Sequence, residues 1–373
     1  MPDKPASPAL APLRILLLAD DRPGHYHLSD GIVAAIARRR PVDVHRIEVK
    51  RRALLPTRLT AVLANIGLSP ALMLRAAYGL AARDLGAFDL VVSAGGNTLA
   101  ANVAAARLRR APNIFYGSLR RFRPELFSIA FTSYERDARH DRIVATIKPS
   151  ALDPDKVPLP APRPVASAAD VASAGDVTTA ASDNADRRGA HPTFALLIGG
   201  NAGDMRFSAD DWQQLLAFIE AMHRETGTRF AVSNSRRTPA DVSDTLAAAA
   251  ARKGGAIADF VDVRSAGPGT LGRVFAASEV VLVTTDSSSM LSEAIWLKRP
   301  AIAITPAHDA LDEAERRYRQ RLMDRGLTRT IPIAELTPRT LSAALADLTP
   351  LDGNPLDELA GIIAERIPGL FSP

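Results

Sequence analysis

The chain has 373 residues, enough for two domains of ordinary size, with 47% hydrophobic residues, 23% charged residues and a net charge of +5. It holds no cysteine, which excludes a disulfide framework and a cysteine-based zinc site. No apolar run approaches the roughly 18 residues of a spanning helix, and so mild a charge favours phosphorylated ligands or an anionic membrane face over nucleic acid.

Met1 to Pro12 is rich in proline and alanine and is expected to be unstructured. Arg14 to Ala19 reads as a buried strand; its apolar run is too short for a signal-peptide core and stops at Asp20 and Asp21. A cytoplasmic protein is the matching expectation. The stretch Asp20 to His27 reads as a turn containing Gly24 and His25, and Leu28 to Arg39 as a helix. Strand, polar turn and helix in this order begin a doubly wound α/β domain. Val42 to Val49 is the next strand.

Lys50 to Arg83 combines six basic residues with the apolar stretches 59–68 and 71–80. Two readings stand: helices packed on a sheet with basic ends, or a basic, apolar surface resting on anionic lipid headgroups. Phe88 to Ser93 is a strand, followed by the turn Ala94-Gly95-Gly96-Asn97-Thr98 and a helix from Leu99 to Arg109. Strands follow at Asn113–Tyr116, Phe127–Phe131 and Arg142–Ile147, with a basic loop from Gly117 to Pro124 between the first two. Loops at the ends of parallel strands collect on one sheet edge, where such folds bind ligands.

Pro149 to Pro192, rich in Pro, Ala, Ser, Asp and Thr, lacks apolar periodicity and reads as a disordered linker. It divides the chain into an N-terminal Rossmann-like domain (13–148) and a C-terminal one (193–373), with the ligand expected in a cleft between them. The α/β pattern restarts at Phe194–Ile198, with the turn Gly199-Gly200-Asn201-Ala202-Gly203-Asp204 and a helix capped by Ser208. Arg229 to Val232 opens into Ser233-Asn234-Ser235-Arg236-Arg237-Thr238-Pro239, a basic turn before a helix. Further strands are Ala256–Val261, Val280–Val283 and Ala301–Ile304; helices are Thr270–Ala277, Asp309–Arg325, Pro338–Leu348 and Leu356–Ile367.

The stretch after Val283, Thr284-Thr285-Asp286-Ser287-Ser288-Ser289, leads into a helix with Met290, Leu291, Ala294, Ile295 and Leu297 on one face. Asp286 or Ser287 can cap it. The turn is either a well-capped strand–helix junction or an anion site, since free N–H groups and the positive end of the helix dipole point outward there. Glu293 lies one turn after Ser289. Arginine forks at Arg236 and Arg237 suit phosphate oxygens, and Gly199 and Gly200 allow a ligand close to the backbone. Three such turns in one domain favour a phosphate-binding surface. Gly267-Pro268-Gly269-Thr270-Leu271-Gly272 matches G-x-G-x-x-G but closes no first strand–helix unit, so it is rejected as a dinucleotide fingerprint. His25 and His27 share a loop with two aspartates, a weak pattern for metal; no metal site is expected.

Asp20-x-x-Pro23-Gly24-His25, Ser93-Ala94-Gly95-Gly96, Ser235 to Pro239 and Thr284 to Ala294 together resemble the Elm-type mitochondrial fission family, across both domains but not 149–192. That family looks like a relative of GT-B glycosyltransferases, whose two Rossmann-like domains face a cleft. The resemblance implies a nucleotide-sugar in the C-terminal domain, with Arg236 and Ser287 to Ser289 at its diphosphate. Glu293 would stand near the ribose, although the paired glutamate of many such enzymes is missing, since residue 301 is Ala. It puts the acceptor on the N-terminal side, by Gly24, Gly95, Gly96 and Asn97, with His25 or Asp20/Asp21 as base. The function it implies is metal-independent transfer from a nucleotide-sugar, with no cofactor, to a lipid-linked or envelope acceptor met through 50–83 at the membrane face. A non-catalytic adaptor and a nucleotide-sugar 2-epimerase are the alternatives. Oligomeric state stays open.

Overall fold

The computed structural model describes residues 10–52, 55–134, 138–157, 159–160, 193–267 and 270–372. The expectations for residues 1–9 and for most of the linker, 161–192, lie outside the described residues. The chain forms two compact units: residues 1–153 with 353–373, and residues 154–352.

Unit 1 is built on a six-stranded parallel sheet, β1 (Leu13–Ala19), β2 (Val42–Glu48), β3 (Leu90–Ala94), β4 (Asn113–Tyr116), β5 (Ile129–Thr132) and β6 (Ile143–Ala145). Their order is β2-β1-β3-β4-β5-β6. The central strands are apolar runs because helices cover both sheet faces. The chain steps from β1 to β2 on one side and then crosses to β3 on the other. The loops after β1 and β3 therefore part company, leaving the switch-point crevice where open α/β sheets take ligands. Helix α1 (Pro23–Ala37) begins earlier than the sequence suggests: Pro23 stands in its first turn, where a missing N–H costs nothing. His25 and His27 are therefore in the helix and not in a turn.

Helices α2 (Thr57–Asn65) and α3 (Pro70–Tyr78) follow β2, and α4 (Leu99–Arg109) follows β3. The small residues Ala100, Ala101, Ala104 and Ala105 let α4 lie close against its neighbours in the core. A buried amide pair stitches this layer: Asn102 donates to Ser93 Oγ (2.9 Å) and to the Ile114 carbonyl (3.1 Å), and accepts from Asn113 Nδ2 (2.7 Å).

Unit 2 repeats the plan. Its strands are β7 (Thr193–Leu197), β8 (Arg229–Ser233), β9 (Ile257–Val261), β10 (Val280–Thr284), β11 (Ala301–Thr305) and β12 (Thr328–Pro332), in the parallel order β12-β11-β10-β7-β8-β9. The helices are α5 (Ala209–Thr226), α6 (Ala240–Ala250), α7 (Thr270–Ala276), α8 (Ser288–Trp296), α9 (Glu313–Asp324) and α10 (Pro338–Ala346). Here the switch point lies between β7 and β10. The sequence reading misses β12, a half-buried edge strand ending in Pro332, which carries little apolar signal.

Two boundaries differ from expectation. The last helix, α11 (Pro355–Arg366), belongs to unit 1 and not to the second domain. Its buried face of Leu356, Leu359 and Ile363 faces inward, and Asp357 takes Arg38 in a two-pronged ion pair (2.8 and 2.9 Å). The first residues of the expected linker are also packed. Ser150 and Asp153 are buried, Gly31 has no room for a side chain beside Pro149 and Ser150, and Asp153 bonds both Arg38 and Asn354. Among the described residues no helix is long and apolar enough to cross a membrane.

Candidate functional site

Each unit gathers candidate residues at its own switch point. In unit 1, Asp20 closes β1 and is buried. Both of its oxygens lie 2.9 Å from His25 Nδ1, and it also accepts from Arg22 N–H (3.2 Å) and Asn97 Nδ2 (3.2 Å). A carboxylate on Nδ1 fixes that nitrogen as the N–H and leaves Nε2 with its lone pair free. No partner occupies Nε2 among the described residues. Asp20 is thus spent on orienting His25 and is buried, and Asp21 is exposed without a side-chain hydrogen bond among the described residues. Of the three expected bases, His25, at the start of α1, keeps a ring nitrogen without a partner among the described residues.

Gly95, in the left-handed region at φ +86°, lies directly under the His25 ring; a Cβ there would overlap the imidazole. Gly96 has the Arg120 guanidinium against it, Nε standing 2.6 Å from where its Cβ would be. Asn97 bridges the two loops, its amide on Asp20 and its carbonyl accepting from Tyr78 OH (2.7 Å). Gly24 has open space around it, so nothing in its surroundings demands glycine.

In unit 2 the loops after β7, β8 and β10 converge. Gly199 N–H donates to Thr284 Oγ1 (2.7 Å), and its carbonyl accepts from Thr238 Oγ1 (2.6 Å). A side chain on Gly199 would overlap the Asp286 carboxyl, and one on Gly200 would overlap the Arg237 carbonyl. Asp286, fully buried at its side chain, accepts from Thr284 Oγ1 (2.6 Å) and from Arg237 through Nη2 (2.5 Å) and Nε (3.1 Å). It therefore does not cap α8; Ser287 does, accepting from Met290 N–H. Ser235 is used in its own turn, accepting from Arg237 N–H (3.1 Å). Arg236 is exposed and makes no hydrogen bond or ion pair among the described residues, so of the two arginines it alone keeps its whole fork available.

Two expected ligand residues are engaged within the protein. Thr285 is buried, with its hydroxyl on Thr305 (3.2 Å). Asn201 accepts from Phe207 N–H (2.9 Å) and so shapes its loop. Ser288 and Ser289 open α8, where early N–H groups face outward. Glu293 is 8% exposed, its carboxyl has no hydrogen-bond partner among the described residues, and burial pushes its pKa up to about 7. The carboxyl is thus poised between donor and acceptor near neutrality.

Arg319 was hidden from the sequence reading inside a charged helix. It is buried, donates through Nη2 to the Thr285 carbonyl (2.5 Å) and leaves Nε and Nη1 without hydrogen bonds. Its Nε lies 3.6 Å from Glu315, a pairing that reads in sequence as an ordinary surface i,i+4 pair. The rejected glycine motif sits between β9 and α7, and its residues 268–269 lie outside the described residues. Among the described residues no group of three or more His, Asp or Glu side chains is placed to hold a metal ion.

A family model described as mitochondrial fission ELM1 matches residues 23–367. A search of curated proteins returns no match. Among solved structures, one described as an S. aureus MnaA-UDP co-structure is 10% identical, covers 96% of this chain and 98% of that one, and has a TM-score of 0.51. The UDP-GlcNAc 2-epimerase from Methanocaldococcus jannaschii is 14% identical over 96% of this chain and 100% of that one, with the same TM-score of 0.51. A glycotransferase of kitacinnamycin is 14% identical over 97% of both chains, with a TM-score of 0.45. At these identities the likeness is one of fold: two Rossmann-like α/β units in one chain, the GT-B-like class expected above.

Proposed function

The chain belongs to the mitochondrial fission ELM1 family, and from that premise we propose that it is a nucleotide-sugar-dependent glycosyltransferase. The observation that carries the reading is the His25–Asp20 pair at the unit 1 switch point, which leaves Nε2 free to take a proton. In the reaction, an acceptor hydroxyl gives its proton to Nε2 as its oxygen bonds to the anomeric carbon. The bond from that carbon to the diphosphate breaks, and the nucleoside diphosphate leaves with the electron pair. The growing charge is met by the α8 N–H groups at Ser287 to Ser289 and by Arg236, without a cofactor. Arg237 neutralises Asp286, so that a buried acid does not repel the phosphates. Glu293, protonated or ionised near pH 7, offers a hydrogen bond to a sugar or ribose hydroxyl. The acceptor in this reading is a lipid-linked or envelope compound met at a membrane face.

Calorimetric titration with UDP-, GDP-, ADP- and CMP-sugars, followed by turnover on a panel of acceptors, tests it. Binding of one donor with sugar transfer is the expected result; no binding of any donor overturns it. Binding without turnover points to a non-catalytic adaptor, and inversion at C2 without an acceptor to an epimerase.

A further inference from the structure

The outward face of α2 is apolar. Leu59, Val62 and Ile66 follow one another at spacings of three and four, so they share one side of the helix. Thr60, Ala61 and Ala64 form the opposite, buried side. Val62 is 50% and Ile66 73% exposed, and Leu72 on α3 is exposed as well. Six large apolar side chains are exposed among the described residues, and four of them stand on these two neighbouring helices. Scattered exposed apolar residues need no explanation, but a concentration on one short segment does.

The charge around this face is predominantly positive; the nearby carboxylate, Glu125, follows Arg123 and is paired with His140 (3.0 Å). From Lys50 to Arg83 the sequence holds no acidic residue. Arg58 and Arg75 are exposed and their side chains make no ion pair or hydrogen bond among the described residues. The basic loop after β4 joins them. Asn65, the last residue of α2, donates to the Arg121 carbonyl (2.8 Å) and accepts from Arg123 N–H (3.0 Å). The guanidinium groups of Arg121 and Arg123 are unpaired among the described residues. The next acid along the chain, Asp84, is turned back onto Ala81 N–H.

We propose that this face of α2, α3 and the 120–123 loop docks on an anionic phospholipid bilayer. Leu59, Val62, Ile66 and Leu72 enter the headgroup boundary while the arginines meet lipid phosphates. Apolar insertion and headgroup attraction act together in such a surface, and the lack of acidic residues on α2 and α3, with Glu125 tied to His140, limits the repulsion that would oppose them. A soluble partner would have to be both apolar and strongly acidic to match it. The inference deepens the membrane-face part of the functional reading, and its test is independent of sugar transfer.

Flotation of the full chain with vesicles tests it. Vesicles of phosphatidylcholine containing about a third phosphatidylglycerol should carry the protein up, and phosphatidylcholine alone should not. Raising salt from about 0.1 M to about 1 M should release it, because the screening length falls from about 10 to about 3 Å. Val62→Ser with Ile66→Ser should weaken binding at least about tenfold through lost apolar burial. Arg121→Gln with Arg123→Gln should weaken it about twenty- to thirtyfold, roughly fivefold per arginine. All four side chains are at the surface, so unchanged thermal melting keeps the comparison clean. Equal behaviour with both kinds of vesicle, or full binding by both double variants, overturns the proposal. So does a concentration-dependent dimer that the Val62/Ile66 variant abolishes, since a second copy would then own the face. Binding without any sugar transfer leaves it standing.

Discussion

The Asp286 carboxyl occupies the space where a side chain on Gly199 would go. The two residues come from different loops, one after β7 and one after β10, neighbouring strands that meet at the switch point of unit 2. Glycine is required at 199 for this reason and not for its backbone angles. Gly199→Ala should expel the carboxyl and break its bonds to Thr284 and Arg237, lowering stability by about 2 kcal/mol. Adding Asp286→Ala reopens the space, so the double variant should lose less than the sum of the two singles. Urea unfolding of the four proteins measures that non-additivity; simple addition would show that the overlap does not matter.

Arg236 and Arg237 are neighbours with different duties. Arg237→Ala strips the buried Asp286 of its cation and should cost about 1–2 kcal/mol, discounted because Arg237 is itself part exposed. Arg236→Ala touches no intramolecular bond and should leave the melting temperature unchanged. It should weaken nucleotide-sugar binding about tenfold by calorimetry, the effect of losing one charge-assisted contact to phosphate.

His25→Ala should spare donor binding and lower turnover by about a hundred- to ten-thousandfold. Asp20→Asn keeps the shape but removes the carboxylate that holds Nδ1–H, so turnover should fall with donor binding unchanged. Full turnover by His25→Ala would exclude His25 as the base.

Glu293 makes stability depend on pH in a stated direction. Its folded pKa, about 7, stands above the ordinary 4.5, so the folded state holds the proton longer. Below pH 4.5 both states are protonated and burial of the carboxyl carries no charge penalty. Between 4.5 and about 7 the unfolded chain ionises first, and stability falls as pH rises. Above that window the loss is complete. Glu293→Gln should match the parent at pH 4.5 and exceed it at pH 8 by up to about 3 kcal/mol, read from urea unfolding at the two pH values. A constant difference across that range would place the carboxyl in water.

Local pattern was enough for much of the fold. Eleven of the twelve strands among the described residues are legible, the central ones as apolar runs, because a parallel strand buried on both faces needs no partner to declare itself. Thr328–Pro332 gives little local signal because Thr328, Arg329 and Thr330 make its first three positions polar and Pro332 ends it. The glycines at 95, 96, 199 and 200 and the serines at 287–289 were visible for the same local reason: strand-to-helix turns require small, capping residues. The position of α11 was not, because an amphipathic helix shows that it must bury a face but not against which sheet.

Thus the sequence by itself determined the elements, the two-sheet α/β class and which turns end the strands, since each depends on residues within a few positions of one another. Tertiary structure alone decided how those turns are used. It set Asp20 to hold His25, spent Arg237 on Asp286, turned Thr285 inward, tied Asn201 to its own loop and buried Arg319 beneath the β10–α8 loop. Arg237 with Asp286, Thr285 with Thr305 and Arg319 with Thr285 join residues 49, 20 and 34 positions apart, and strand order, not spacing, brings them within hydrogen-bonding reach; Asp20 with His25 and Asn201 with Phe207 are local contacts fixed by the turn each sits in.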